Sequence, residues 1–454
     1  MWDRPPEERF AALCERPGAF FLDSALPAGG LGRYSFIGFD PFLVMRAGDG
    51  VIRLERADGE EDFRGEIFSE LGKLLEKYRC TSLPGIPFPG GAVGYFSYEA
   101  GAQLERVPCS HANELGVPEV ELGFYDGVLA FDHGARRAFM VANPVNRADC
   151  TSIFQRLERV LYAGGSTAPS PRSAAASQPT EPRARFSKAE YLRAIDRIRN
   201  YIAAGDVYQV NLTQRFEAAL TCHPYELYQR LRRRSPAPFA GYFNLNSLQI
   251  VSSSPERFLQ IKNGRVATRP IKGTRPRGKT SAEDSRLRQE LTGSAKDRAE
   301  LLMIVDLERN DLGRVCEPGS IQVEELFKAE THPTVHHLVA NVVGRLRPEC
   351  DVIDCLRAML PGGSITGAPK VRAMQLIDEL ELTRRGVYTG VVGYIGFDGN
   401  CDLNIAIRTI LCARGRAYYH VGGGIVWDSD PESEYQETLD KGAAMRASLM
   451  EPHL

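Results

Sequence analysis

The chain has 454 residues, 43% of them hydrophobic and 25% charged, with a net charge of −2. That is the make-up of a globular protein with a large core, and it gives no overall field that would favour nucleic acid or an anionic membrane. No apolar run approaches the ~20 residues of a membrane span; the start, Met1-Trp-Asp-Arg-Pro-Pro, lacks a signal-peptide core; and ten cysteines without a C-x-x-C pair fit reduced cytoplasmic thiols.

Residues 10–47 alternate apolar runs with turns, through Phe20-Phe-Leu, Pro27-Ala-Gly-Gly, Tyr34-Ser-Phe-Ile-Gly and Phe42-Leu-Val-Met, which reads as strands and turns. Residues 65–79 place Ile67, Leu71, Leu74 and Leu75 on one helix face. Further strands are expected over 117–142. Residues 164–185 are mostly Gly, Ser, Ala, Pro and Thr and read as a linker. The expected division is therefore an N-terminal domain over 1–160, a linker over 161–186 and a second domain over 187–454.

Structure resumes at a capping box, Ser187 with Glu190, stapled by Phe186 and Tyr191. Leu192, Ile195, Ile198 and Ile202 continue the helix to Gly205. Strands are expected at 207–219 and 248–252, and a helix at 296–309 with Leu301, Leu302, Ile304 and Val305 among charges. The run Arg230-Leu-Arg-Arg-Arg234 closes a helix and complements its C-terminus. Helices at 352–360 and 370–380 follow, the latter with Pro369 in its first turn. Residues 387–427 read as strands, including Ile405 to Leu411. Gly390-Val-Val-Gly-Tyr-Ile echoes Gly91-Ala-Val-Gly-Tyr-Phe as a weak internal repeat.

Residues 265–279 form the most cationic stretch. Lys272 is expected in a turn between Pro270-Ile271 and Gly273-Thr274, surrounded by Arg265, Arg269, Arg275, Arg277 and Lys279. Such neighbours would disfavour a protonated amine and leave it nucleophilic. Gly273 to Thr280 also matches the phosphate-loop pattern G-x-x-x-x-G-K-[ST]. A phosphate loop follows a buried strand, however, and here proline and charge break the preceding segment, so a nucleotide site is the weaker reading.

Ser433 and Gln436 are expected to cap a last helix that puts Glu434, Glu437 and Lys441 on one face. Two carboxylates with a third from elsewhere suit magnesium. Glu300, heading the helix 296–309, is the candidate third. Gly422-Gly-Gly424 exposes amides suited to an anionic group. Glu256 is a candidate general acid, and His336 and His337 precede an apolar run.

Four ordered motifs, Pro270-Ile-Lys-Gly-Thr-Arg-Pro-Arg-Gly, Asp306-Leu-Glu-Arg-Asn-Asp-Leu-Gly, Gly363-Ser-Ile-Thr-Gly-Ala-Pro-Lys and Gly422-Gly-Gly-Ile-Val, together resemble the chorismate-utilising enzymes, the family of anthranilate synthase component I. The resemblance is close over 187–448 and looser over 10–145. It implies an α+β fold of large antiparallel sheets packed together with helices outside. It implies magnesium held by Glu300, Glu434 and Glu437, and catalysis by Lys272, Glu256 and His337. It also implies chorismate contacts from Gly273, Thr274, Tyr388, Arg408, Gly422, Gly423, Gly424 and Lys441. Gln209 stands where water-adding members have a lysine base, and so resembles the ammonia-using branch. Lys272 stands where anthranilate synthases have alanine, and resembles the branch that aminates carbon 4, the aminodeoxychorismate synthases. Ammonia would come from a separate glutamine amidotransferase subunit, since the chain has no G-x-C-x-G turn. Ser24, Arg33, Tyr34, Ser35 and Phe36 resemble a tryptophan pocket of the family. The alternative within the family is anthranilate formation.

Overall fold

The computed structural model describes residues 4–452 apart from 27–30, 147–148, 163–177, 246–247 and 334. The turn expected at Pro27 and most of the expected linker lie outside the described residues. The architecture is α+β: two large antiparallel sheets lie face to face, with helices outside. One sheet runs in the order Arg183–Ala184, Gln209–Ala219, Arg416–Ile425, Thr409–Ala413, Leu248–Ser254, Phe239–Asn244, Phe20–Asp23, Tyr34–Gly38, Gly127–Asp132, Arg137–Ala142. The other runs from Ile271–Pro276 through Val335–Arg345, Arg265–Arg269, Arg257–Lys262, Cys401–Ile405, Val391–Gly396, Gly91–Phe96, Val120–Tyr125, Leu43–Gly48 and Val51–Arg56 to Gly59–Arg64. Each sheet draws strands from before residue 163 and from after residue 177.

The sheets meet through aromatic side chains. Phe36 of the first lies edge-on to Tyr394 of the second, ring centroids 5.7 Å apart, within one buried cluster that also holds Phe20, Val93, Tyr95, Val128 and Val392. Strands buried on both faces read as unbroken apolar runs rather than alternating ones, as Gly91–Phe96 and Val391–Gly396 do.

Those two strands are the echoing segments of the sequence, and they pair with each other, Gly94 opposite Gly393. Both glycines have φ near +155°, at +157° and +153°. A Cβ on Gly94 would lie 2.0 Å from the Glu121 carbonyl oxygen, and one on Gly393 2.2 Å from that of Asp402. Only glycine satisfies both constraints.

The helix Lys188–Ala203 has the expected capping box, and Phe186 meets Tyr191 at 5.7 Å. The last helix, Pro431–Met450, is capped by Asp430 rather than by Ser433, whose own amide donates to Asp430 at 2.9 Å. A carboxylate before Pro431 outcompetes the later serine. Pro369 likewise is the cap of Lys370–Leu380, not its first turn. The helix Ser281–Gly293 has no counterpart among the expected elements. It buries only Leu291, so it leaves no apolar stripe to read.

Candidate active site

Two strand-to-strand passages between the sheets build the centre. Leu248–Ser254 belongs to the first sheet and Arg257–Lys262 to the second; Glu256 lies in the step between them. Cys401–Ile405 belongs to the second sheet and Thr409–Ala413 to the first, with Arg408 in the step. The steps are neighbours, since Ser252 pairs with Thr409 and Arg257 with Asn404. The sequence run Ile405 to Leu411 is thus two strands in different sheets, broken at Arg408 with φ +52°.

Lys272 lies in a strand, not a turn. Ile271–Pro276 pairs with Val335–Arg345, Lys272 opposite Leu338 and Thr274 opposite His337, and the register shifts between them. Gly273 absorbs the shift at φ +71°; a Cβ there would meet Leu291 Cδ1 at 2.8 Å. The arginines nearby in sequence do not crowd the amine. Each has its own acid: Arg265 with Glu324, Arg269 with Glu330, Arg275 with Glu290 and Asp297, Arg277 with Asp284.

Lys272 Nζ donates to the Ser364 carbonyl at 3.2 Å. Burial lowers its pKa, and Lys441 lowers it further, against the pull of Glu300, Glu256 and Glu437. The amine is therefore shifted toward its neutral form, but by desolvation rather than by the sequence-adjacent cations. Glu256 is 4% exposed, and burial raises its pKa against Ser364 and Lys272. A carboxyl shifted toward its protonated form beside an amine shifted toward its neutral form is the pairing an acid-and-nucleophile mechanism uses.

Glu300, Glu434 and Glu437 gather on one side. Lys296 Nζ stands 3.9 Å from Glu300 Oε1 and 4.0 Å from Glu434 Oε1. Lys441 Nζ lies 2.6 Å from Glu437 Oε1 and donates to the Gly422 carbonyl at 3.0 Å. Glu434 is fixed by Ser429 Oγ at 2.6 Å. Gly423 leaves the space before them, since a Cβ there would lie 3.3 Å from Glu434 Oε2 and 3.6 Å from Glu437 Oε1. Burial raises the pKa of Glu300 and Glu434; burial pulls Glu437 the same way, but Lys441, Lys296 and Lys272 together outweigh it and lower its pKa. Among the described residues no three His, Cys, Asp or Glu side chains stand ready-assembled around one metal position. What is present is a hard-oxygen donor set whose charge two ammonium groups partly offset.

The opposite side suits an anion. The Arg408 side chain has no hydrogen bond or ion pair among the described residues, and burial lowers its pKa. Tyr388 lies beside it, stacked on His420 with centroids 5.0 Å apart. His337 Nδ1 meets Thr274 Oγ1 at 3.0 Å, and burial, with His332 and Arg408, holds its pKa down at about 3, so it is neutral. Gln209 is fully buried with neither amide atom partnered, and the space of a Cβ on Gly424 lies 2.9 Å from it.

Sequence reasoning missed the support beneath Lys272. Lys370 Nζ binds Asp311 Oδ2 at 2.5 Å and the Met359 carbonyl at 3.3 Å, with buried Glu308 alongside. This tether holds the segment that presents Ser364. The motifs at 306–313 and 363–370 contained these residues, but only the fold shows that they meet. The phosphate-loop reading fails locally. The Gly278 amide donates to Asp284 Oδ1 at 2.9 Å and the Lys279 amide to Glu283 Oε2 at 2.8 Å, so the cradle is filled by the chain's own carboxylates.

Apart from the cluster around Lys272, Ser24, Arg33, Tyr34 and Phe36 line a cavity of ≈ 690 Å³ with Arg257, Gln260 and Tyr394. Ser35 faces away, bound to the Ser24 amide at 3.0 Å and to His133 Nε2 at 2.7 Å.

Residues 34–447 match the protein family described as chorismate binding enzyme. The chain is 44% identical over 437 residues to aminodeoxychorismate synthase component 1 of Klebsiella aerogenes, covering 96% of this chain and 94% of that protein. It is 39% identical over 453 residues to anthranilate synthase component 1 of Pseudomonas aeruginosa, covering 97% and 92%. The crystal structure of anthranilate synthase component I from Streptococcus pneumoniae superimposes with a TM-score of 0.81 at 32% identity, covering 93% of each chain.

Proposed function

The chain belongs to the chorismate binding enzymes, and from that premise we propose that it aminates chorismate at ring carbon 4, giving 4-amino-4-deoxychorismate for 4-aminobenzoate and folate synthesis. The observation that carries the reading is the Lys272 amine, made less basic by burial and set among Glu256 and Glu300. A lysine so placed is a nucleophile in waiting.

In this reading Arg408, Tyr388, Thr274 and the amides of Gly422 to Gly424 bind the carboxylates of chorismate. Glu300 and Glu437, with Glu434, would hold magnesium, which when bound would neutralise the ring carboxylate. Lys272 attacks ring carbon 2, and the carbon 4 to oxygen bond breaks as Glu256 gives its proton to the departing hydroxyl, which leaves as water. Ammonia then bonds to carbon 4, and the bond from carbon 2 to Lys272 breaks. The proton that ammonia sheds restores Glu256. Buried neutral His337 packs at the ring, and Gln209 lies on the ammonia side.

The designation component 1 shared by the relatives supports a second subunit, and the absence of a G-x-C-x-G turn supports its being a glutamine amidotransferase. The second reading is anthranilate synthesis, with ammonia itself attacking carbon 2; relatives of that name favour it. Product identification by mass spectrometry after incubation with chorismate, magnesium and ammonium decides between them. We expect 4-amino-4-deoxychorismate; anthranilate as the main product overturns the proposal.

A further inference from the structure

Ser364 meets both reacting groups of the centre, with different atoms. Its carbonyl accepts from Lys272 Nζ at 3.2 Å. Its hydroxyl acts on the Glu256 carboxyl and favours the ionised form. The residue is 4% exposed, and Oγ makes no hydrogen bond of ordinary geometry among the described residues. A buried hydroxyl left unpaired is desolvated without return. The fold does not depend on it, because the contact to Lys272 uses the main chain and would survive an alanine.

The backbone around Ser364 is clamped. Gly363–Ile365 is a single 3-10 turn. The Gly363 amide donates to the Glu308 carboxyl. Thr366 Oγ1 donates to the Gly362 carbonyl at 3.0 Å, and the Thr366 carbonyl accepts from the Asn211 amide at 2.8 Å. Arg385 Nη1 donates to the Ile365 carbonyl at 2.9 Å, and the same guanidinium is bound to Glu381. Oγ is thus held in place by contacts that do not involve it. A group fixed so firmly, with its own bonding capacity unused, is preorganised for a reactant.

Its neighbours indicate which reactant. Glu256 has Lys272, Lys441 and Glu308 about it, and its Oε1 takes the Ile271 amide at 3.5 Å. In the amination cycle Glu256 gives up a proton as water leaves, and must recover one when ammonia bonds to carbon 4. A carboxylate only accepts and an ammonium only donates, whereas a hydroxyl accepts from one neighbour while it donates to another. Ser364 Oγ is a hydroxyl so placed.

We propose that Ser364 is a further catalytic residue, whose hydroxyl passes a proton from the incoming ammonia to Glu256. As the nitrogen bonds to carbon 4, the bond from carbon 2 to Lys272 breaks and the amine leaves with its electron pair. One N–H proton moves to Ser364 Oγ while the Oγ proton moves to the Glu256 carboxylate. Ser364 ends as it began, Glu256 is again the acid, and Lys272 is again the neutral amine. The inference rests on the amination reading above.

The test is a single-turnover experiment on the full chain. Wild type and Ser364→Ala are mixed with chorismate and magnesium, and the adduct on Lys272 is followed by mass spectrometry. Ammonium chloride is then added and the loss of the adduct is timed. The adduct should form in Ser364→Ala within about twofold of the wild-type rate, since that step precedes the relay. Its conversion to 4-amino-4-deoxychorismate should slow roughly tenfold or more. The melting temperature should hold or rise, because an unpaired buried hydroxyl is gone. Conversion within about threefold of wild type overturns the proposal. So does equal slowing of both steps, or an Ala variant that melts earlier or fails to fold, since either marks Ser364 as a residue that only shapes the site. A wild type that forms no adduct, or that yields anthranilate, fails the amination reading itself and takes the relay with it.

Discussion

Arg408→Met should cost activity heavily and stability not at all. The guanidinium is held between the sheets without a hydrogen bond or ion pair among the described residues, and burial works against its charge. Removing an unpaired, half-buried charge relieves desolvation, and methionine keeps the apolar stem in place. The melting temperature should therefore stay level or rise. In the proposed function the same guanidinium meets a carboxylate of chorismate, where a two-pronged contact would make two charge-assisted hydrogen bonds. At about 1.5–3 kcal/mol each, their loss removes about 3–6 kcal/mol, or roughly 10²- to 10⁴-fold in kcat/KM. Steady-state kinetics across chorismate concentration, with thermal unfolding of the same preparations, measures both. A variant that melts markedly earlier but keeps its kcat/KM would show Arg408 to be a structural residue and refute the reasoning.

Lys272→Ala should slow carbon 4 amination by roughly two orders of magnitude or more. Wild type quenched with chorismate and no ammonia should carry a mass adduct on the peptide containing Lys272; an unlabelled peptide there contradicts covalent attack. Glu437→Ala should raise the magnesium needed for half-maximal rate at least roughly tenfold, and weaken magnesium uptake measured by calorimetry with chorismate present. Identical magnesium titrations in the two proteins would remove Glu437 from the site. Burial and Asp311 push the Glu308 carboxyl up from 4.5 to about 8. Its raised pKa means that this contribution to stability is whole below about pH 4.5 and is lost as pH rises toward 8. Glu308→Gln cannot ionise, so its melting temperature relative to wild type should climb over that interval and level off above; a constant offset would contradict the assignment.

Local signals were legible where one segment carries the whole message. The capping box at Ser187, the staple of Phe186 on Tyr191 and the helix Ile67–Lys77 need only neighbours in sequence. The candidate site residues were legible as motifs, and the fold brings Lys272, Glu256, Glu300, Glu437 and Lys441 within electrostatic reach of one another. What was not legible was direction. Lys272 and its arginines are neighbours in the chain, but each arginine finds an acid on another element. Leu302 shares a helical apolar run with Leu301 yet is 45% exposed, while Leu301 is fully buried. Nor does the apolar run through Ile405 and Leu411 show that the chain changes sheets at Arg408, since both strands are buried on both faces and read alike. Desolvation, the leading influence on Lys272 and Glu256, belongs to the assembled molecule and to no short stretch of it.

The pairing of Gly94 with Gly393 bears on how such a chain could ever be shortened. That seam lies in the interior of the second sheet, and Phe20–Asp23 against Phe239–Asn244 is its counterpart in the first. Lifting away everything before residue 187 would strip the partner from Val391–Gly396 and from Phe239–Asn244. Two rows of backbone amides and carbonyls, now sealed, would become open edges that recruit other chains. The early residues need supply no catalytic group to be indispensable: they are the selvedge that keeps the cloth of the later half from catching on its neighbours.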